Sequence, residues 1–227
     1  MTAADIPRRM TAVLFDLDGT LADTAGDLGG AVNQMRVARG MAAMPIESLR
    51  PFASAGARGL IGAGLDVHPD HPEFESLRQE FLSNYERCLA DTTRLFEGVP
   101  ALLDQLDAMG CTWGVVTNKP HRYTVPVMEA LGLMARSAVT ISGDTTAHAK
   151  PHPLPLLTAC ERMGAHALTT LYVGDDLRDI QAAQAAHMPS VAAAWGYLGT
   201  THDVAQWGAD VICQNPTDIL PFLSDPS

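Results

Sequence analysis

Two carboxylates, spaced two residues apart, follow the first apolar run of the chain. The run at Thr11–Phe15 predicts a buried strand, and Asp16 and Asp18 come directly after it, ahead of Gly19. Open α/β sheets place their chemistry just beyond the carboxyl ends of strands. Two acids at such a point are costly unless they bind a cation or transfer protons. A lone Asp-Gly usually shapes a turn, but the parts described next favour a chemical role.

A second acidic cluster follows a later apolar run. Leu171–Val173 predicts a strand that ends at Gly174, and Asp175 and Asp176 come next, with Asp179 at the start of a predicted helix. If the strands are parallel, both acidic clusters lie at the same edge of the sheet. The spacing therefore predicts one site assembled from distant parts of the chain.

Lysine is rare in this chain, and both lysines stand beside predicted strand ends. There are thirteen arginines but only two lysines, Lys119 in Asn118-Lys119-Pro120 and Lys150 before Pro151. The ordinary surface cation is therefore arginine, and a compact ammonium is not interchangeable with a guanidinium beside a phosphate or a carboxylate cluster. Both lysines are candidate site residues.

Strands and helices alternate after residue 93 and not before it. From there each predicted helix ends near a glycine, and the pattern indicates a parallel sheet wrapped by helices, an α/β Rossmann-like core. The predicted strands after the first are Thr112–Thr117, Ala138–Ser142, Leu171–Val173, Ser190–Ala194 and Asp210–Cys213.

Residues 22–92 predict helices and no strand. Thr24-x-x-Asp27 has the spacing of a weak capping box, residues 46–65 predict two short helices joined by a loop, and Pro72–Leu89 predicts an amphipathic helix. We expect a small all-helical cap at 22–92, inserted after the first strand, and a core made of 1–21 and 93–227.

Composition limits the partners. The net charge of −11 argues against nucleic acid and anionic membranes. No apolar run approaches the roughly 18 residues of a membrane span, and no long apolar run follows Arg8 and Arg9, so a secretory signal is not expected. Four dispersed cysteines predict neither disulfides nor a zinc site, and we expect a cytoplasmic protein. The residues after Leu223 are expected to fray.

Four motifs together resemble those of the haloacid-dehalogenase-like phosphohydrolases. DLDGT, VVTNK, a lone lysine before proline and GDDLRD occur in the order typical of that family, and the resemblance extends over nearly the whole chain. The helical segment at 22–92 resembles the small cap of the subgroup that inserts it after the first motif. Arg178 is a departure, since many relatives carry asparagine at that point.

The resemblance implies a Mg²⁺-dependent phosphatase that forms an aspartyl-phosphate. Asp16 would be the nucleophile, and Asp18 would protonate the leaving alcohol and then activate water. Lys150 would neutralise charge on the phosphate and on Asp16. The implied phosphoryl donors are Gly19, Thr117 and Asn118; the implied metal ligands are Asp16, Asp175 and the backbone carbonyl of Asp18, with Asp176 or Asp179 acting directly or through water.

The substrate is expected to be a small phosphorylated metabolite. Several stretches look like phosphoglycolate phosphatases, and others look like relatives that dephosphorylate N-acetylmuramic acid 6-phosphate in cell-wall recycling. Both substrates carry a carboxylate, which Arg58 of the cap would hold, and Lys119 is a second candidate specificity residue. A sugar phosphomutase is a further alternative. Monomer and homodimer both stay open.

Overall fold

The structure, a computed structural model, describes residues 10–200 and 203–223. Six parallel strands form the sheet, in the order β5-β4-β1-β6-β7-β8. They are β1 (Ala12–Phe15), β4 (Thr112–Val116), β5 (Thr140–Ile141), β6 (Thr170–Gly174), β7 (Ser190–Ala193) and β8 (Val211–Cys213). The predicted fold class, a parallel Rossmann-like sheet flanked by helices, is confirmed.

Strand β1 lies in the middle of the sheet, which explains its uninterrupted apolar run. It pairs in parallel with β4 and β6, so that Phe15 stands beside Val115 and Val173. A strand covered on both faces must be apolar at every position, and all four residues of β1 are buried. The chain that leaves β1 therefore emerges at the centre of the carboxyl edge.

Helices cover both faces of this sheet. The helices that follow residue 95 are α5 (Val99–Ala108), α6 (His121–Ala130), α7 (Leu154–Met163) and α8 (Leu177–Ala185). Val13 and Phe15 pack in one apolar cluster with side chains of α5 and α6, whereas Leu14 packs in another with side chains of α7 and α8. Alternate residues of β1 thus serve opposite faces, as the two-residue period of a strand requires.

A helical bundle follows β1 in the chain and has its own apolar cluster. It consists of α1 (Ala25–Ala38), α2 (Ile46–Leu49), a 3₁₀ segment (Arg50–Ala55), α3 (Gly56–Leu65) and α4 (Phe74–Glu86). Its core contains Val32, Met35, Leu60 and Phe81. This bundle occupies the segment predicted as a cap; the bounds of 22 and 92 stay a prediction.

Two details of the prediction for this segment are wrong. A short antiparallel ribbon joins the bundle to the sheet, because β2 (Ala22–Asp23) pairs with β3 (Arg94–Leu95), so the segment is not free of strands. Thr24 does not cap α1 through its side chain. Its hydroxyl donates to Asp18 instead, and Asp27 accepts hydrogen bonds from the backbone and hydroxyl groups of both Thr92 and Thr93.

Three further expectations concern the ends of the chain, membrane spans and the cysteines. Arg8, Arg9 and the residues after Leu223 lie outside the described part of the chain. Among residues 10–200 and 203–223, no helix has the length and apolar character needed to cross a membrane. All four cysteines are free thiols.

Candidate active site

Asp16 begins the site at the carboxyl end of β1. Its carboxylate is buried and accepts a hydrogen bond of 2.7 Å from the backbone of Leu17. The ammonium of Lys150 lies 3.0 Å from the same carboxylate. The central strand of the sheet thus places the Asp16 carboxylate in a buried position beside the positively charged Lys150 ammonium.

Three carboxylates converge beyond the sheet edge. Asp16, Asp175 and Asp179 each offer an oxygen that lies within 4.8 Å of the other two, and all three residues are buried. Burial, together with the neighbouring acids, raises the pKa of Asp16 to about 7 and that of Asp175 well above its usual value. We call these three residues the acidic trio. The three carboxyl groups share one nearby ammonium, that of Lys150, which lies close to Asp16 and Asp179.

Hydrogen bonds from three parts of the chain hold Asp175. They come from the hydroxyl of Thr20 (2.9 Å), the backbone of Tyr197 (3.0 Å) and the hydroxyl of Ser54 (3.0 Å). Gly19 allows this close packing, since a Cβ at that position would collide with the Asp175 carboxylate. Its φ of +87° also favours glycine. Ser54 belongs to the bundle, so the bundle touches the trio directly.

Asp176 and Asp179 have separate partners. Asp176 caps α8 through the backbone of Arg178, and its two oxygens bind the Arg178 guanidinium at 2.7 and 2.9 Å. Burial would raise the pKa of Asp176, but Arg178 holds it below its usual value. Asp179 points into the trio, where its carboxylate accepts from the Asp176 backbone at 3.0 Å. This geometry favours Asp179 over Asp176 as the acid nearer a cation.

Lys150 forms ion pairs with two of the three acids. Its ammonium lies 3.0 Å from Asp16 and 2.7 Å from Asp179, and it donates to the Val116 carbonyl at 2.9 Å and the Tyr172 hydroxyl at 2.8 Å. Burial alone would lower the pKa of Lys150, but the two acids raise it above its usual value. The lysine is therefore a fixed cation at neutral pH.

Asp18 has its hydrogen-bond partners outside the trio. Its Oδ1 accepts from the Thr24 hydroxyl at 2.6 Å and from the ammonium of Lys119 at 3.0 Å. Lys119 was a candidate for substrate recognition, and the structure places its ammonium on Asp18 and 4.7 Å from the ring centroid of Tyr85. Lys119 thus orients the Asp18 carboxylate.

Two of the predicted phosphate-binding residues, Thr117 and Asn118, lie near the same edge of the sheet, and each makes hydrogen bonds within the protein. The side-chain amide of Asn118 exchanges two hydrogen bonds of 2.9 Å with the backbone of Lys150, so it positions that lysine. The Thr117 hydroxyl accepts from the backbone of Lys119 at 3.1 Å. Thr117 and Asn118 both line the cavity described next.

A cavity of about 290 Å³ lies between the sheet edge and the bundle. Its floor contains Asp16, Asp18 and Lys150. Arg58 lies in its wall and is exposed, and no hydrogen bond or ion pair of its side chain is found within the described residues. The bundle contributes the remaining wall, made of Leu28, Ala53, Ser54, Ala55, Gly56, Ala57, Arg78, Phe81, Leu82 and Tyr85.

Sequence reasoning missed four residues that act on the site. Ser54 and Tyr172 contact the trio or its lysine, and the Tyr197 hydroxyl accepts from the backbones of Thr24 and Ala25 at 2.7 and 2.9 Å. The amphipathic pattern of Pro72–Leu89 predicts that the Tyr85 ring is buried but indicates no role for its hydroxyl. The sole signal was that Trp195–Tyr197 follows a predicted strand, a place where parallel sheets present functional loops.

The chain matches the model of the haloacid dehalogenase-like hydrolase family over residues 13–193. This chain belongs to the haloacid dehalogenase-like hydrolases, as its motifs predicted. Within that family it resembles phosphoric monoester hydrolases. It is 47% identical over 216 residues to a phosphoglycolate phosphatase of Xanthomonas campestris pv. campestris, a match that covers 95% of this chain and 96% of that one.

Two further relatives bear on the substrate and the fold. An N-acetylmuramic acid 6-phosphate phosphatase of Pseudomonas aeruginosa is 41% identical over 215 residues and is covered to 95%, as is this chain. A crystal structure of a predicted phosphoglycolate phosphatase from Haemophilus somnus superposes with a TM-score of 0.81 at 28% identity, covering 95% of this chain and 98% of that one.

Proposed function

We propose that this protein is a Mg²⁺-dependent phosphatase that hydrolyses a small, carboxylate-bearing phosphomonoester through a phosphorylated Asp16. The convergence of the acidic trio on one point, with Lys150 beside it, is the observation that supports this most. The proposed reaction is the one named for the phosphoglycolate phosphatases among the relatives, the hydrolysis of a phosphomonoester.

The donor set fits a hard divalent cation. Each member of the trio supplies carboxylate oxygen, and Mg²⁺ prefers oxygen ligands. Burial, and after it the neighbouring acids, raise the pKa values of Asp16 and Asp175, so a cation at this point would favour their charged forms. Asp16, Asp175 and Asp179 would hold the ion. When bound, it would neutralise the repulsion between Asp16 and an incoming phosphate.

Asp16 is placed for attack on phosphorus. Its carboxylate lies in the floor of the cavity, and Leu17 and Lys150 fix its orientation. In the proposed step an Asp16 oxygen forms a bond to phosphorus while the bond from phosphorus to the leaving alcohol breaks. The Lys150 ammonium, held by Tyr172 and Val116, offsets charge on the transferring group.

Asp18 is placed to move the protons. It borders the same cavity and is oriented by Thr24 and Lys119. Asp18 would give a proton to the leaving alcohol and later take one from the water that hydrolyses phosphorylated Asp16. The enzyme then returns to its starting state with release of inorganic phosphate.

The substrate class follows from the bundle side of the cavity. Arg58 is a cation in the wall without a partner among the described residues, and it is suited to a substrate carboxylate. Phosphoglycolate carries such a group. N-acetylmuramic acid 6-phosphate is the second candidate, because a cavity of about 290 Å³ with the apolar wall of Leu28, Phe81 and Leu82 exceeds what a two-carbon alcohol needs.

The test pairs two aspartate variants. Asp16→Asn should lower phosphate release from p-nitrophenyl phosphate by about 10³-fold or more, because an amide is a poor nucleophile. Asp176→Asn is the control, since its carboxylate faces Arg178 and asparagine also caps helices well. Turnover retained by Asp16→Asn would remove Asp16 as nucleophile.

To distinguish the two candidate substrates, we would measure phosphate release from 2-phosphoglycolate and from N-acetylmuramic acid 6-phosphate. The compound with the higher kcat/KM is the preferred substrate. Formation of an isomer from a sugar phosphate without release of free phosphate would instead favour the phosphomutase alternative.

A further inference from the structure

One side of the cavity wall contains a buried tyrosine hydroxyl. Tyr85 lies in the last turn of α4 and is 2% exposed. Among the described residues no group lies within hydrogen-bonding distance of its hydroxyl oxygen, although the Lys119 ammonium is near enough to lower its pKa. Buried hydroxyl groups are nearly always paired, and leaving one unpaired is unfavourable. Burial raises the pKa of Tyr85 to about 12, so the hydroxyl keeps its proton at neutral pH and can donate.

The Tyr85 ring is held from two sides. It stacks on Phe81 at 6.4 Å between ring centroids and meets Tyr123 edge-on at 5.6 Å. A ring fixed in this way keeps its hydroxyl in one place, because rotation would need both neighbours to move. The unpaired donor is therefore pre-positioned.

Tyr85 lies close to Asp18, the proposed proton donor to the leaving alcohol. The Lys119 ammonium lies 4.7 Å from the Tyr85 ring centroid, and the same ammonium binds Asp18 at 3.0 Å. Under the proposed function, Asp18 protonates the leaving alcohol. The atoms of that alcohol nearest to the ester oxygen must accordingly lie on the Tyr85 side of the cavity.

The two candidate substrates share a feature at this position. In 2-phosphoglycolate the carbon next to the esterified carbon carries carboxylate oxygens, and in N-acetylmuramic acid 6-phosphate it carries the ring oxygen. Both are hydrogen-bond acceptors. A donor beside the ester would therefore serve either substrate.

We infer that Tyr85 is a specificity-determining residue, whose hydroxyl donates a hydrogen bond to an acceptor oxygen on the carbon adjacent to the phosphate ester. The inference rests on the proposed function, since it takes the place of the leaving alcohol from Asp18. It assigns to the bundle a second selective contact near the reacting bond, which on 2-phosphoglycolate reaches the same carboxylate that Arg58 is expected to bind.

The chain offers a matched control in Tyr123. Its ring lies in the wall of the same cavity, but its hydroxyl already donates to Glu86 at 3.0 Å. Tyr85→Phe and Tyr123→Phe each remove one hydroxyl from an adjacent ring. Only the first removes a hydroxyl that has no acceptor within hydrogen-bonding distance among the described residues.

The experiment compares 2-phosphoglycolate with ethyl phosphate, which lacks the acceptor oxygens. For Tyr85→Phe we expect kcat/KM on 2-phosphoglycolate to fall about 10- to 100-fold, with less than about a twofold change on ethyl phosphate. Tyr123→Phe should preserve the wild-type preference. The Tm of Tyr85→Phe should stay within about 2 °C of the wild-type value, because no hydrogen bond within normal distance is lost.

Three outcomes would overturn the inference: a wild-type enzyme without preference for 2-phosphoglycolate, a Tyr85→Phe enzyme that keeps that preference, or equal effects of the two variants. Failure of the proposed function is recognised separately, by an Asp16→Asn enzyme that still releases phosphate from p-nitrophenyl phosphate.

Discussion

At the level of single residues, the two acids that follow Asp175 illustrate how partner choice divides similar side chains. Asp176 is bound by a guanidinium, and Asp179 by the buried ammonium of Lys150. Both sit in the first turn of one helix, as N-cap and third residue of a capping box. Only the residue that points back into the sheet edge joins the trio.

Replacing these two acids should have unequal effects on metal binding. Asp179→Asn should weaken Mg²⁺ binding by about 10- to 100-fold, because it removes a charged oxygen from the trio. Asp176→Asn should change it by less than about threefold. Titration of activity against Mg²⁺ concentration checks both values, and a stronger effect at Asp176 would reverse the assignment.

Lys119 should affect catalysis on every substrate alike. Lys119→Ala leaves the Asp18 carboxylate without its ion pair, so we expect kcat to fall about 10²-fold on 2-phosphoglycolate and on p-nitrophenyl phosphate. Arg122→Ala removes an exposed pairing with Glu86 and a contact over the Tyr123 ring, neither of which involves Asp18, and serves as control. A loss confined to KM for one substrate would return Lys119 to the role of a specificity residue.

The identity of the site residues was predictable where a motif falls at a strand end, and less so elsewhere. Asp16, Asp175 and Lys150 were predicted to lie close together because parallel strands bring their carboxyl ends to one edge, and in the structure they do. The partners of Asn118 and Lys119 were not, because a side chain with several possible partners chooses among them only in three dimensions. Tyr85 shows the same limit: helical spacing predicted that its ring is buried but said nothing of its hydroxyl.

At the level of elements, the 3₁₀ segment Arg50–Ala55 connects the bundle to the sheet edge. The Ser54 hydroxyl donates to Asp175, and the Ser54 carbonyl accepts from Arg178 at 2.8 Å. Arg178 thereby binds Asp176 and the bundle at once. The arginine that departs from the family pattern joins α8 to the bundle.

Loss of this contact should loosen the bundle against the sheet. For Arg178→Ala we expect KM to rise about 3- to 10-fold with a smaller change in kcat, and faster amide exchange at residues 50–65 than in the wild type. Glu47, whose ion pair with Arg50 is exposed, offers a control in Glu47→Ala. Unchanged exchange at 50–65 would show that Arg178 does not restrain the bundle.

Element types were more predictable than their ends. The spacing of apolar residues predicted α1, α4 and the helices around the sheet. A helix that buries one face must carry apolar residues every three to four positions, and this spacing is visible in the sequence. The ribbon of β2 and β3 escaped detection, since two residues are too few to show alternation. The capping box predicted at Thr24 was wrong because a partly buried acid, Asp18, accepts the hydrogen bond of the Thr24 hydroxyl. The same spacing at Asp176 and Asp179 does form a capping box.

At the level of the whole molecule, the trio links stability to pH. The folded-state pKa of Asp16 is about 7 and that of Asp175 is well above its usual value, so the folded protein binds more protons than the unfolded chain between about pH 4 and pH 7. The stability contributed by these protonated acids is present below the unfolded pKa and is lost as the pH rises through the folded pKa.

Mg²⁺ should therefore stabilise the protein more at high pH. We expect saturating Mg²⁺ to raise Tm by several degrees more at pH 8 than at pH 5.5, because at the lower pH protons compete with the ion for the trio. Thermal unfolding with Mg²⁺ or EDTA measures the difference, and Asp16→Asn should reduce it. Equal increases at the two pH values would argue against the trio as the binding site.

The ribbon between the bundle and the sheet has one more consequence. Ala22 pairs with Leu95, and Asp23 with Arg94, so the chain enters and leaves the bundle at neighbouring points. A segment with adjacent ends can be exchanged without rethreading the remaining polypeptide. We expect grafts of the corresponding segment between homologous enzymes to be tolerated, which would allow substrate preference to be inherited as a unit while the chemistry of the host stays in place.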